Sequence, residues 1–516
     1  MVDKIIQYSK RYLFEWSIFV AQLKATVIAV FPFLRSIHIS EEVSLDFQNS
    51  DDYLFLAFVH SVKKHIHIET VSLMTVVFTL FFGAVYGAVQ FFHVPGLVVI
   101  SSIVAFFYLV LMAFKLWIVY HGVSYPLIDF SKKEIEHIND DDLPLYTILI
   151  PLYREAEVAD QVIKAMSAID YPKDKLDIII TLEKYDAETL SALKKSGLPS
   201  HFKTLILPDV CPKTKPKALN VAFLEAMGEF LVIYDAETVP DADQLKKAYL
   251  AFRSHPDIAC FQTRLEHYNA NHNILTKLFN TEYSFHYDLF LPGLQKHNFP
   301  VPLSGHSIHF RRHVIEKIGA WDPYNVTEDC DIGIRLYRQG FKTGMMNSVT
   351  YEEATCTLKS WTIQRTRWMK GFIQTSIVHL RHPLRFKQEV GGWRNFFVFL
   401  LTVPGTVAVN ILNLVLWVIL VIWLVMHSSF IQTLYPQPVL YMSGVAFIVG
   451  SFIFTYLNLL GAYRRKKFYL VKYGMLTPIY WVMIAIATTR AALQIIKNPH
   501  GWEKTKHGSH LSKQSG

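Results

Sequence analysis

The stretch LVIYDAETVPD, residues 231–241, ends an apolar run with two acids, Asp235 and Glu237, one residue apart. In an extended or turning backbone both carboxylates can approach one divalent cation, and Mg2+ favours carboxylates together with diphosphate oxygens. A cation held there stabilises a departing diphosphate, such as that of a nucleoside diphosphate sugar. The same two residues also read simply as the polar end of a strand. Upstream, CPKTKPKALN at 211–220 places Lys213, Lys215 and Lys217 near a helix start, where ammonium groups and free amides favour an anion; a solvated basic loop has the same composition. Of the three, Lys217 is singled out for the site.

Two further clusters lie downstream. NVTEDCDIG at 325–333 holds Glu328, Asp329 and Asp331 before a helical pattern. Thr327 as a cap with acids in the first turn accounts for them structurally, while a carboxylate that accepts a hydroxyl proton accounts for them as a general base. SWTIQRTRWMKG at 360–371 is the sharpest feature. Gln364, Arg367, Trp368 and Gly371 fall at i, i+3, i+4 and i+7, so one helix face presents them together. An amide, a cation and a flat indole are the parts needed to hold a sugar beside a diphosphate.

These residues need a frame. Short β-branched runs at 145–151, 176–182, 202–207 and 230–235 alternate with helical patterns at 154–169, 187–197 and 217–228. That alternation predicts an α/β domain with a mostly parallel sheet covered by helices on both faces. Ligands of such sheets bind beyond the carboxyl ends of the strands. Tyr153, Arg154 and Glu155 follow the first strand, Glu183 and Asp186 the second, and Asp235 and Glu237 the fourth. Any one acidic ending is ordinary loop polarity; several converging on one crevice repel one another unless a cation or a ligand is present.

The chain has 516 residues, 51% hydrophobic and 18% charged, enough for a soluble domain and a substantial second region. Apolar stretches at 71–92 and 97–120, parted by a His-Val-Pro-Gly turn, read as a transmembrane hairpin, and apolar sequence returns at 396–426, 440–460 and 473–496. The expected organisation is an N-terminal cytoplasmic or interfacial region over 1–70, the hairpin over 71–120 and a catalytic domain over 141–375. An interfacial linker over 376–395, membrane and interfacial helices over 396–496 and a tail over 497–516 complete it, with four to six spans in all. No cleaved signal peptide is expected, because the first strong apolar run starts near residue 71. YRRKK at 463–467 and SVKKH at 61–65 favour the inner side of a membrane and so put the central domain in the cytoplasm. This orientation accounts for the net charge of +8 without nucleic acid. The four scattered cysteines form no CxxC pair, in keeping with a reducing compartment.

Taken together, these motifs resemble the membrane-embedded inverting glycosyltransferases of family 2, the group of cellulose synthase, hyaluronan synthase and related bacterial exopolysaccharide synthases. The resemblance spans residues 145–371 and rests on an acid ending the second strand, the acidic pair after the fourth, the TED element and the Q-x-x-R-W element. It implies a glycosyltransferase A type domain inserted between transmembrane helices of a bacterial inner membrane, with Mg2+ or Mn2+ as cofactor. It further implies a UDP-sugar donor, a polysaccharide or lipid-linked glycan acceptor, the lipid bilayer, and an export partner or a homo-oligomer as partners.

Residue by residue, Asp329 resembles the catalytic base with Glu328 beside it, and Asp235 and Glu237 resemble the metal-binding acids, Glu replacing the usual second Asp. Glu183, with Asp186 nearby, resembles the acid near the uridine, and Lys217 the nucleotide-contacting lysine. Gln364, Arg367 and Trp368 match the element lining the acceptor and diphosphate site, and Tyr153 and Glu155 join the donor side. Glu282 and Tyr283 in FNTEYSFHYD and Ser304, Gly305 and His306 in PLSGHSIHFRR stand on the acceptor side. The ending NPHGWEKTKHG resembles a W-x-K-T-x-H-G ending, with Lys504 and His507 as approaches to the site. Processive synthesis of a β-linked polysaccharide coupled to export, a single addition to a lipid-linked acceptor, and a non-enzymatic transporter or scaffold are the three functions weighed. The last leaves the acidic strand ends and the Gln364–Trp368 face unexplained.

Overall fold

The computed structural model describes residues 95–207, 213–426 and 435–498, with a few isolated residues beyond these segments. The expectations for 1–70, for most of the first half of the hairpin, and for Lys504 and His507 lie outside the described residues.

The alternation read from the sequence folds as strands β1 (Tyr146–Leu152), β2 (Leu176–Glu183), β3 (Phe202–Leu207) and β4 (Phe230–Ile233). Between them lie helices α2 (Ala159–Ser167), α3 (Ala187–Lys195) and α4 (Lys215–Glu225). β3, β2, β1 and β4 pair in parallel, with Ile148 beside Ile178 and Val232. Beyond β4 the sheet becomes mixed. β5 (Val239–Pro240), β6 (Ile258–His267), β7 (Ile308–Arg311) and β8 (Lys342–Glu352) complete the order β3-β2-β1-β4-β7-β6-β8-β5. β7 enters antiparallel between β4 and β6, and β8 runs parallel to β6. A strand has two faces at a period of two, so β1 feeds two cores. Ile148 and Ile150 pack with α2 and with α5 (Gln244–Ser254), while Leu149 packs with Leu219 and Phe223 of α4.

Among the described residues four helices are long and apolar enough to cross a membrane: α1 (Gly96–Val123), α10 (Pro404–Met426), α11 (Gln437–Arg464) and α12 (Thr477–Lys497). The run expected at 396–426 is divided. α9 (Trp393–Thr402) ends before Pro404, and a single span-length helix follows. Three helices connect the sheet to these spans: α6 (Ile274–Phe285), α7 (Glu328–Arg338) and α8 (Leu358–Leu380), the last lying along α12.

α1 is seated on the domain by backbone-close packing. A Cβ on Gly122 would lie 1.9 Å from the carbonyl oxygen of Leu289, and one on Gly293 would lie 2.1 Å from that of Ile118. The two glycines let α1 meet the short helix Leu291–Lys296 with no side chain between them. Replacing Gly122 by Val should therefore cost on the order of 3 kcal/mol and lower the melting temperature of detergent-solubilised protein by several degrees. Gly444→Ala, where nothing lies within 4 Å, should leave the melt unchanged.

Candidate active site

The carboxyl ends of the strands open on a cavity of about 590 Å³. Asp235 follows β4 and is held in its turn by its own amide, which donates to Thr238 Oγ1 at 3.0 Å. Lys215, at the first position of α4, reaches across the cavity floor. Its ammonium lies 2.5 Å from Asp235 and 3.5 Å from Glu328, and it donates to the carbonyl of Gly305 at 3.1 Å. Those acids, with Asp329 nearby, push the Lys215 pKa up despite burial. Glu237 and Glu352, the end of β8, join the same wall. Burial and the Asp235 charge raise Glu237 to about 8, and burial with Glu237 and Asp235 raises Glu352 well above the carboxylate range. Like charges gathered this closely are protonated or wait for a cation.

Asp329 stands in the first turn of α7, where burial and then Glu328 raise its pKa to about 7. Gly305 faces it, with space for a Cβ only 3.1 Å from Asp329 Oδ2. Behind Asp329, α7 is tied to α8 and to the surface by a buried polar chain. Asp331 accepts from Arg335 Nε at 2.7 Å and pairs with His379 Nε2 at 3.0 Å. His379 Nδ1 lies 2.9 Å from Arg338 Nη1, and Arg338 also grips Glu389. Burial lowers the His379 pKa. A neutral ring accepting from Arg338 carries its proton on Nε2, toward Asp331. α8 crosses this region closely: a Cβ on Gly371 would fall 1.8 Å from Thr327 Oγ1, so the residue before Glu328 sits directly on the helix of the Q-x-x-R-W element.

The structure brings most of the expected residues to one cavity. Tyr153, Glu155, Glu183, Asp235, Glu237, Glu328, Asp329, Gln364, Arg367 and Trp368 line it, as do Glu282, Tyr283, Ser304, Gly305 and His306. His306 is kept neutral by burial, with a pKa lowered to about 3, and its ring meets Tyr287 at 5.1 Å. Glu282 is engaged by the Arg365 guanidinium and accepts from Tyr480 at 2.9 Å. Its carboxylate is thus part of an ion pair, not a free contact on the acceptor side.

Asp186 and Lys217 are not among the lining residues and differ from expectation. Asp186 caps α3, accepting from the Thr189 amide at 3.3 Å and from the Arg154 amide at 2.5 Å. Lys217 is fully buried with its ammonium 2.7 Å from Glu183. The helix turns Lys217 inward and leaves Lys215 at the cavity, so the lysine among the acids is Lys215.

Sequence reasoning also passed over Glu352 and Arg365. Glu352 ends a strand in an acid, the same signal as Asp235. Arg365 lies inside the QRTRW stretch and is surrounded by the rings of Phe279, Trp368, Trp361 and Tyr480 at 4.6 to 5.6 Å.

Among the described residues no group of three or more His, Cys, Asp or Glu side chains forms a ready-made metal cage. Mg2+ and Mn2+ do not require one, because a site with one or two carboxylates is completed by substrate phosphates and water. Asp235 and Glu237 stand one residue apart on the cavity wall, a pair of carboxylates that fits such a cation.

An acid-ended α/β sheet joined to span-length helices is the architecture of a glycosyltransferase A type domain flanked by membrane-spanning segments. The chain belongs to the family described as glycosyl transferase family group 2, whose sequence model matches residues 230–488, just over half of the chain. It is similar to the probable glycosyltransferase YdaM of Bacillus subtilis, 29% identical over 236 residues, which are 45% of this chain and 56% of that protein. The match thus spans little more than half of that relative's length. Among solved structures it is similar to the mannosyltransferase PcManGT of Pyrobaculum calidifontis in complex with GDP-Man and Mn2+. There the TM-score is 0.47 and the identity 15%, covering 77% of this chain and 98% of that one. Glucosyl-3-phosphoglycerate synthase of Mycobacterium tuberculosis in complex with Mn2+, UDP and phosphoglyceric acid gives a TM-score of 0.34 at 15% identity, over 52% of this chain and 88% of that one.

The buried Lys217–Glu183 pair supports the floor beside the site. Lys217→Met would leave Glu183 buried without its cation, at a cost of about 3 to 5 kcal/mol. It should unfold the domain at markedly lower denaturant than Lys215→Met, which removes a charge that the surrounding acids can replace by protonation. Equal denaturant midpoints for the two variants would contradict this division of roles.

Proposed function

We propose that the protein is an inverting hexosyltransferase that adds sugars from a UDP-sugar to a growing β-linked polysaccharide and guides the product into the membrane. The observation that carries this reading is the shape of the cavity. It begins at Asp235 and Asp329, passes Gln364, Arg367 and Trp368, and continues between α1, α10, α11 and α12. There it is lined by the amides of Asn410, Asn413 and Asn458 and by the rings of Phe447, Phe454 and Trp481. Amides and aromatic faces suit a hydroxyl-rich chain, which offers hydrogen bonds at its rim and C–H faces for stacking.

In this mechanism the donor lies across the strand ends. Asp235 and Glu237 would hold Mg2+ or Mn2+, which when bound offsets the charge of the departing diphosphate. Arg367 adds positive charge from α8, and Trp368 offers its ring to the acceptor sugar. Asp329 takes the proton of the attacking hydroxyl. The new bond forms from the acceptor oxygen to the anomeric carbon as the bond from that carbon to the phosphate oxygen breaks, and its electron pair leaves with UDP. Attack from the face opposite the leaving group turns an α-linked donor into a β-linkage. UDP complexes and Mn2+ in similar proteins support the choice of donor and cation. The span-length helices and the basic flanks support a bacterial inner membrane, with the catalytic domain in the cytoplasm.

A base with a pKa near 7 must lose its proton to work, so kcat/KM for sugar transfer should fall tenfold per pH unit below about 7 and level off above it. Asp329→Asn should reduce transfer by at least about 10³-fold while UDP still binds. Transfer within a few-fold of wild type would remove Asp329 from the mechanism.

The length of the product tests the polymerase reading separately. Purified protein given one UDP-sugar should release polymers resolvable by gel electrophoresis at low turnover. Products that stop at one added sugar would favour transfer to a lipid-linked acceptor.

A further inference from the structure

Between α8 and α10 the chain forms the short helix Pro383–Glu389, a turn at Gly391–Gly392, and α9. One side of this segment belongs to the domain: Phe386, Val390, Phe396 and Phe399 are buried with Cys330 and Ile334 of α7. The other side is apolar yet uncovered. Leu384, Trp393 and Phe397 are 67%, 52% and 53% exposed, and the last two rings stack at 5.7 Å. Residues 381–394 carry Arg381, Arg385, Lys387 and Arg394 against Glu389 as the one acid, and Glu389 is taken up by Arg338 and Arg385. Lys387 and Arg394 contact rings, Trp393 at 5.1 Å and Phe299 at 4.6 Å, and among the described residues neither pairs with a carboxylate.

Two features say what covers this face. α10 starts at Pro404, two residues after α9 ends, so the face emerges where a membrane span begins. Phe299 also touches Trp117 at 6.0 Å near the end of α1, where Trp117 and Tyr120 are exposed as well. Exposed aromatic rings beside unpaired cations at the ends of two spans match the boundary between headgroups and acyl chains.

We propose that this face seats on anionic phospholipid, with Lys387 and Arg394 on headgroup phosphates and Leu384, Trp393 and Phe397 in the acyl boundary. Its inner side packs on α7, and Glu389 joins Arg338, His379 and Asp331 in the buried chain behind Asp329, so the lipid contact lies one element away from the catalytic helix.

The test uses full-length protein in nanodiscs of phosphatidylcholine containing one-third phosphatidylglycerol. Phosphatidylglycerol retained after detergent extraction, counted by lipid mass spectrometry, should be enriched over its bulk share. In Lys387→Gln/Arg394→Gln the enrichment should fall toward the bulk share, the affinity of the site for phosphatidylglycerol over phosphatidylcholine dropping by roughly fivefold per cation removed, and Lys387→Arg/Arg394→Lys should restore it. Brominated lipids should quench Trp393, read as the difference between wild type and Trp393→Phe. Equal enrichment in wild type and the Gln variant overturns the proposal. So does an unquenched Trp393, which would mean that a protein surface covers the face. Neither readout uses a sugar substrate, so the outcome is independent of the function proposed above.

Discussion

The site is organised by one imbalance: Lys215 is the ammonium set among Asp235, Glu328, Asp329 and their neighbours Glu237 and Glu352. Carboxylates come to this place because two strands far apart in sequence, β4 and β8, and the turn before α7 all end there. Burial first, and then the charge of a neighbouring acid only partly offset by Lys215, is why Glu237 and Asp329 hold protons at higher pH than ordinary acids. Such an arrangement costs stability in the empty protein and is relieved by a ligand that brings positive charge with it. A metal bound together with a nucleoside diphosphate has that composition, and burial together with the Glu328 charge brings Asp329 into the range that the base of the proposed mechanism needs.

α8 joins this site to the span-length helices. Its Gln364, Arg367 and Trp368 face the cavity, Gly371 lets it touch Thr327, and its opposite side lies along α12. Arg365 fixes the helix between the two regions, because its guanidinium is shared by Glu282 of α6 and Tyr480 of α12 while four aromatic rings surround it. The same guanidinium lies 4.6 Å from the Trp368 ring, so α6, α8 and α12 meet beside that face. The cavity's continuation toward Asn410 and Asn458 follows from the same placement.

Much of this was legible in the sequence, for physical reasons that differ by region. The strand and helix alternation over 145–235 is strongly periodic, and the acids at the strand ends follow from the rule for open α/β sheets. The spacing of Gln364, Arg367 and Trp368 needs only the helical repeat. The antiparallel entry of β7 was not legible, because strand order depends on long-range pairing that leaves no local periodicity. Which of Lys215 and Lys217 reaches the cavity was not legible for a related reason. In KPK both lysines have the same composition, and only the rotation of α4 relative to the sheet turns Lys217 onto Glu183 and Lys215 onto Asp235. The capping role of Asp186 was not legible either, because a helix cap and a binding acid look alike before the backbone amides are placed.

In the proposed mechanism the carboxylates around Lys215 form a cation-dependent diphosphate site. Calorimetric titration of UDP into the full-length protein, with Mn2+ and again with excess EDTA, measures that dependence. Saturable binding is expected with Mn2+, with at least tenfold weaker binding in EDTA and loss of the Mn2+ effect in Asp235→Asn/Glu237→Gln. UDP affinity that is equal with and without the cation, or absent under both conditions, would contradict it.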